Sequence, residues 1–292
     1  MAVNKWIKSV VGSAVIGSFL LAGTSAYAAS ASVFVNGQAQ YDTITVEGRT
    51  LVKLRSLTDP KWLVFAYDSK TRIVMVHTKD NSKTVQLREG EKTATVNGEK
   101  VEIDAAVVNK NGLTYVPLRF ISESLGASVH YNAQEKRVIV RTPARQAQYE
   151  TLMRGDLTEA RGIALGLMRL KGKAPATVPG EGYHYNYYTF PEGEALRFTM
   201  NYAGYSEAYY EVNEDGLAIL KWQLDNVAER EWGTKPNFTS YVYFLDEFMG
   251  GVFTYGIVDK QGKDTQLGRF HQDSTHNLVL PIKGEKRTDA RP

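Results

Sequence analysis

The stretch "NGLTYVPLRFISESLGASVHYNAQEKRVIVRT", residues 111–142, follows the pattern of "EGRTLVKLRSLTDPKWLVFAYDSKTRIVMVHT", residues 47–78. Aligned without gaps, the two share nine residues at a constant offset of 64, among them Gly48 with Gly112, Val52 with Val116, Arg55 with Arg119 and Tyr67 with Tyr131. The tripeptide "VNG" precedes each, at Val35–Gly37 and at Val96–Gly98. Self-similarity at a fixed offset implies a duplicated supersecondary unit.

Each copy has a physical reading. The Asn-Gly and Glu-Gly pairs supply the positive φ of tight hairpin turns, and "LTYVPL" and "RTLVKL" alternate apolar residues as half-buried strands do. In the second copy Pro117 suits a helix start, Leu118, Ile121 and Leu125 share one helical face, and Gly126 is placed to end it. Pro60 interrupts the matching part of the first copy, so its helix is expected to shrink to a turn. Arg55 and Arg119 are expected to fix their units by pairing with carbonyls or a carboxylate; contact with an acidic wall polymer is the other reading.

Residues 32–142, and "YVPLRFISESLGA" most of all, closely resemble the stalk-type module known as the copper amine oxidase N-terminal domain. The resemblance implies a small α+β module of strand-rich units with a short helix, acting as a spacer or interaction domain in secreted and surface proteins. It implies neither copper nor oxidation, because in the amine oxidases this domain is separate from the catalytic one.

The residues themselves speak against amine oxidase chemistry. Asn186-Tyr187-Tyr188 places Tyr where the quinone-forming motif needs a carboxylate, and Ala203 follows Tyr202 in the other candidate. The five histidines include no His-x-His pair, and His271 with His276 are set five apart in a loop-like segment. A copper oxidase is rejected, and no cofactor or metal site is expected. "GYSEA", Gly204–Ala208, lacks the last glycine of a nucleophile elbow and reads as a hairpin turn. The acid pairs Glu192 with Glu194, Glu214 with Asp215 and Asp246 with Glu247 are the candidates for a glycosidase. Adjacent acids in turns are more often solvated.

The N-terminus reads as a secretory signal peptide over residues 1–28: Lys5 and Lys8, an apolar run from Val10 to Ala22, then Ala26-Tyr27-Ala28. The chain has no Cys, so neither disulfides nor a lipidated thiol enter the argument. The formal charge of +3 falls to about +1 once both lysines are removed, which gives no reason to expect nucleic-acid binding. No later apolar stretch approaches the ~18 residues of a membrane span.

Beyond "TPARQAQ", residues 142–148, the repeat ends and a helical pattern begins. Asp156 and Glu159 form a capping box for a helix whose apolar face carries Leu157, Ala160, Ala164, Leu167 and Met168. From Tyr183 the period becomes two, and "YHYNYYTF", "ALRFTMNY", "EAYYEV", "LAILKWQL", "TSYVYFL", "GVFTYGIV" and "NLVLPI" read as strands parted by turn signals. The fold class is therefore α+β: the duplicated module over 32–142, then a helix plus antiparallel β-meander over 147–292 that resembles no family.

Twelve of the seventeen tyrosines fall in this second half. Tyr183, Tyr185 and Tyr187 would project from one face of its first strand, where rigid rings can stack on sugars or anchor a protein. Cross-strand pairing that merely stabilises the sheet is the alternative. Three classes remain open. The first is a secreted, non-enzymatic cell-surface or extracellular-matrix protein that binds a cell-wall polymer or an extracellular protein. The others are a secreted hydrolase of wall polysaccharide or peptide, and a secreted protein-binding inhibitor.

Overall fold

The computed structural model describes residues 31–57, 59, 61–180, 185–247, 249–271 and 279–291, and Ala31–Pro292 forms one compact unit. The expected signal peptide, Tyr183, His184 and His276 lie outside the described residues.

The first half is built from hairpins. Its strands are β1 (Ser32–Val35), β2 (Gln38–Gln40), β3 (Thr43–Val46), β4 (Arg49–Lys53), β5 (Leu63–Asp68), β6 (Ile73–Thr78), β7 (Thr84–Arg88), β8 (Thr93–Val96), β9 (Glu99–Glu102), β10 (Val108–Lys110), β11 (Leu113–Pro117), β12 (Ser128–Asn132) and β13 (Arg137–Arg141). They make three sheets, ordered β12-β13-β1-β2, β10-β11-β4-β3 and β5-β6-β7-β8-β9. Four hairpins turn on paired left-handed residues, such as Asn111 (φ 54°) with Gly112 (φ 75°), and Glu47 (φ 48°) with Gly48 (φ 74°). Those angles give the turn the twist of its flanking strands. Helix α1 (Leu118–Ser124) starts after Pro117 and ends at Gly126 (φ 91°), while Leu54–Leu57 makes only a 3-10 turn ahead of Pro60. Leu118, Ile121 and Leu125 enter a core shared with Val33, Val76 and Val140.

In the antiparallel pairing of β4 with β11, Val52 faces Val116, Lys53 faces Tyr115 and Leu51 faces Pro117. Residues 51–53 and 115–117 are thus related by a local two-fold through the Val52 and Val116 pair. Arg55 and Arg119 correct the expectation drawn for them. Both are exposed, and among the described residues neither has an ion pair or side-chain hydrogen bond. Arg55 inside the short 3-10 turn and Arg119 in the first turn of α1 sit on the solvent side, where a long cation remains hydrated at no cost.

The second half has its own core. Helix α2 (Pro143–Arg154) follows β13 directly, with Pro143 in its first turn, and α3 (Leu157–Leu165) is capped by Asp156 Oδ1, which accepts from Thr158 N at 2.9 Å and Glu159 N at 3.0 Å. The strands are β14 (Arg169–Leu170), β15 (Asn186–Pro191), β16 (Arg197–Tyr202), β17 (Ser206–Val212), β18 (Ala218–Asp225), β19 (Arg230–Gly233), β20 (Tyr241–Glu247), β21 (Val252–Val258) and β22 (Asp264–His271). They form one sheet, β14-β18-β17-β16-β15-β20-β21-β22, with β19 also on β18. It is strand-rich, mostly antiparallel and packed on the helices through Leu152, Met153, Ala164, Phe190, Phe198 and Phe244, an α+β arrangement.

Two strand expectations change. Residues 279–282 form no strand; Pro281 lacks a ladder donor, and Val279 and Ile282 instead pack into the core from irregular backbone. "DTQLGRFH" is a strand without the alternation of buried and exposed residues that identifies one, because β22 is an edge strand with nearly every residue exposed.

The two cores meet at a polar knot. The buried Asp215 carboxylate accepts from Asn132 Nδ2 at 3.1 Å and from Arg137 Nη1 at 3.1 Å, both in the first half. Asn36 Oδ1 accepts from Thr142 N at 2.9 Å, tying the β1–β2 turn to the start of α2. Phe34 and Ile139 pack with Leu217 beside it.

Candidate tyrosine face

The strand that carries Tyr187, β15, lies in the interior of the sheet. The chain runs β15 to β18 outward on one side, then returns to pair β20 on the other side of β15. Alternation sends Tyr188 and Phe190 to the helix-packed core, and Tyr187 and Thr189 to the opposite face. A central strand has neighbours on both sides, so Tyr187 is half-buried where an edge strand would have displayed it.

On that opposite face the Tyr187 ring lies against Tyr243, centroid to centroid 5.7 Å. Burial, and then Tyr241 and Tyr243 close by, push the Tyr187 phenol well above its ordinary range; its hydroxyl also shares a hydrogen bond with Tyr241. Burial together with a hydrogen bond to Asp264 of β22 pushes Tyr243 up to about 12. Thr189 Oγ1 and Thr199 Oγ1 share a hydrogen bond of 2.5 Å beside them. Tyr187, Tyr241 and Tyr243 thus form a cluster of phenols, in which Tyr187 meets Tyr243 ring to ring and Tyr241 lies close by. Tyr243 is buried and Tyr187 and Tyr241 are half-buried, so the part of the cluster open to a partner is Tyr187 and Tyr241.

The rest of the face is covered by the segment 234–240. Phe238 meets Tyr209 edge-on at 5.8 Å, and Lys235 Nζ stands 5.1 Å above Trp222. The Tyr209 hydroxyl donates to Glu211 at 2.7 Å, and Trp222 Nε1 donates to Glu231 at 2.6 Å. These rings are structural.

Of the three tyrosines singled out in the sequence, Tyr187 joins the cluster and Tyr183 lies outside the described residues. Tyr185 precedes β15, half-buried, its carbonyl accepting from Ala203 N at 2.9 Å. Tyr241 and Tyr243, which complete the cluster, were visible only as an alternating pair in "SYVYF". Asp264 gave no signal at all, since its place depends on how β22 registers against β21.

The acid pairs are divided among structural tasks. Glu194 is held bidentate by Arg197 at 2.5 Å, Asp215 forms the polar knot, and Glu247 lies 3.8 Å from Arg269. Asp246 is buried on the core face, where it helps raise Tyr188. Among the described residues no three His, Cys, Asp or Glu side chains gather as a metal site, and no helix is long and apolar enough to cross a membrane. The "GYSEA" segment is a hairpin turn, with Ala203 (φ 51°) and Gly204 (φ 74°) joining β16 to β17.

No curated protein matches the chain, and no family model matches its C-terminal half. Residues 33–140, from β1 into β13, match the family described as the copper amine oxidase N-terminal domain.

Proposed function

We propose that the protein is a secreted, non-enzymatic cell-surface or extracellular-matrix protein whose tyrosine face binds a cell-wall polymer or an extracellular protein. The N-terminal module, read as a duplicated unit, serves as spacer and docking element. The observation that carries the reading is the Tyr187, Tyr241 and Tyr243 cluster on a sheet face opposite the helices. Tyr187 and Tyr243 pack ring against ring at 5.7 Å, so little side-chain freedom is lost when a flat ligand stacks beside them. The polar knot at Asp215 supports the spacer role, because it couples the module to the sheet through buried hydrogen bonds.

Co-sedimentation with purified insoluble wall polymer tests this. Replacing Tyr241 and Tyr243 together by Ala is expected to weaken binding at least tenfold, about 1.4 kcal/mol, while Arg55→Ala with Arg119→Ala in the module leaves it unchanged. Binding lost only with the arginine pair would move recognition to the module. Turnover of the polymer would replace the binding reading by a hydrolase.

A further inference from the structure

We propose that the cleft between β13 and helices α2 and α3, separate from the tyrosine face, binds a carboxylate carried on an apolar body. The cleft has a volume of about 640 Å³, the size of a small-molecule site. Ile139, Leu152, Ile163, Leu167 and Met168 give it an apolar lining. Its polar lining carries Arg141, Arg145, Gln148 and Glu159, with Asn36 and Gln38 of the β1–β2 hairpin.

Arg141 is the residue that needs a partner. It is only 8% exposed, yet of the five N–H donors of a guanidinium one is committed, Nη2 to the Asp215 carbonyl at 2.7 Å. Its plane rests 3.8 Å from the centre of the Tyr149 ring. The neighbouring Asp215 carboxylate already serves Arg137, Asn132 and Asn213. Two arginines therefore meet one buried carboxylate at the junction, and burial pushes the Arg141 pKa down, as expected of a cation short of an anion. A guanidinium with free N–H groups matches a carboxylate in bidentate geometry, and the apolar lining selects what that carboxylate is attached to. The flank of α3 leaves the space open: Gly162 lines the cleft, and a Cβ built there meets nothing within 4 Å.

Two sources supply this chemistry, an acyl chain and the C-terminus of an apolar peptide. The purified chain is titrated with decanoate and with acetyl-Ala-Leu-Leu, each against its uncharged counterpart, decanol or the peptide amide, with methyl resonances as the readout. The expected result is saturable binding of at least one carboxylate that shifts the Ile139, Leu152, Ile163 and Met168 methyls, with the neutral counterpart at least tenfold weaker. Whichever carboxylate binds identifies the source. Gly162→Trp, which places a large ring in the cleft from α3, and Arg141→Gln are each expected to weaken binding at least tenfold. The proposal is overturned if neither carboxylate saturates, if the neutral analogues bind equally well, if the shifts cluster elsewhere, or if Gly162→Trp leaves affinity unchanged.

Discussion

Arg161 of α3 and Glu285, 124 residues apart, form a buried bidentate pair, with Nη1 donating to Oε2 at 2.7 Å and Nη2 to Oε1 at 2.6 Å. The remaining valences are satisfied as well: Arg161 Nε donates to the Glu194 carbonyl at 2.8 Å, and Glu285 Oε1 accepts from Gly193 N at 2.7 Å. Further along the same segment, Arg287 donates to the Leu152, Thr151 and Gly155 carbonyls at the end of α2, and Asp289 Oδ2 accepts from the Ala195 and Leu196 N–H groups. Residues 285–291 therefore strap the two helices to the β15–β16 turn.

Removing one member of the Arg161 and Glu285 pair leaves an uncompensated buried charge. Glu285→Ala is expected to destabilise the C-terminal half by about 3 to 5 kcal/mol in urea unfolding. The double variant Arg161→Met with Glu285→Leu should be less destabilised than Glu285→Ala, because desolvation of the orphaned guanidinium then disappears. A double variant as unstable as the single one would show that the strap's backbone contacts carry the effect.

The polar knot predicts coupling between the two cores. Asp215→Ala strips the acceptor from Asn132 and Arg137, so the two halves should unfold in separate transitions where the native chain unfolds in one. Trp62 packs against the first core, while Trp222 and Trp232 lie in the second half, which lets fluorescence of a Trp62→Phe variant and of a Trp222→Phe with Trp232→Phe variant assign each transition. Coincident transitions in Asp215→Ala would place the coupling in the Phe34, Ile139 and Leu217 contact.

Alkaline pH should weaken the second half selectively. Tyr188 and Tyr243 are both pushed from 10.0 up to about 12, Tyr188 by burial and the nearby Asp246, Tyr243 by burial and Asp264. The fold favours the neutral phenol, so this stabilisation is complete below pH 10 and is lost as pH rises through about 12. Urea midpoints measured at pH 9 and pH 11 should fall for the native chain and fall less for Tyr188→Phe. An equal fall in both would remove Tyr188 as a cause.

Two glycines separate backbone strain from collision. Gly37 (φ 79°) and Gly233 (φ 82°) share a left-handed conformation, but a Cβ at Gly37 meets nothing within 4 Å, whereas at Gly233 it would stand 2.0 Å from the Lys221 carbonyl oxygen. Gly37→Ala should cost about 1 to 2 kcal/mol, the strain of the conformation alone. Gly233→Ala should cost clearly more, or unpair β19 from β18. Equal thermal shifts for the two would mean that the Gly233 turn relaxes freely.

Local and periodic features were legible in the sequence. Asn111-Gly112 and Glu47-Gly48 turn their hairpins, Gly126 ends α1 and Asp156 caps α3, because each is decided by φ preferences or by hydrogen bonds within four residues. Alternation likewise gave most of the large sheet, and failed at β22, where an exposed edge strand buries no face to create the pattern. What only the tertiary structure decided is which distant residues meet. Placing β20 beside β15 joins Tyr187 to Tyr243 and leaves Tyr185 outside the cluster, and the Asp215 turn gathers Asn132, Arg137 and Arg141 from the other half. Strand order and the docking of one core on another depend on burial summed over the whole chain, which the spacing of a few neighbouring residues does not encode.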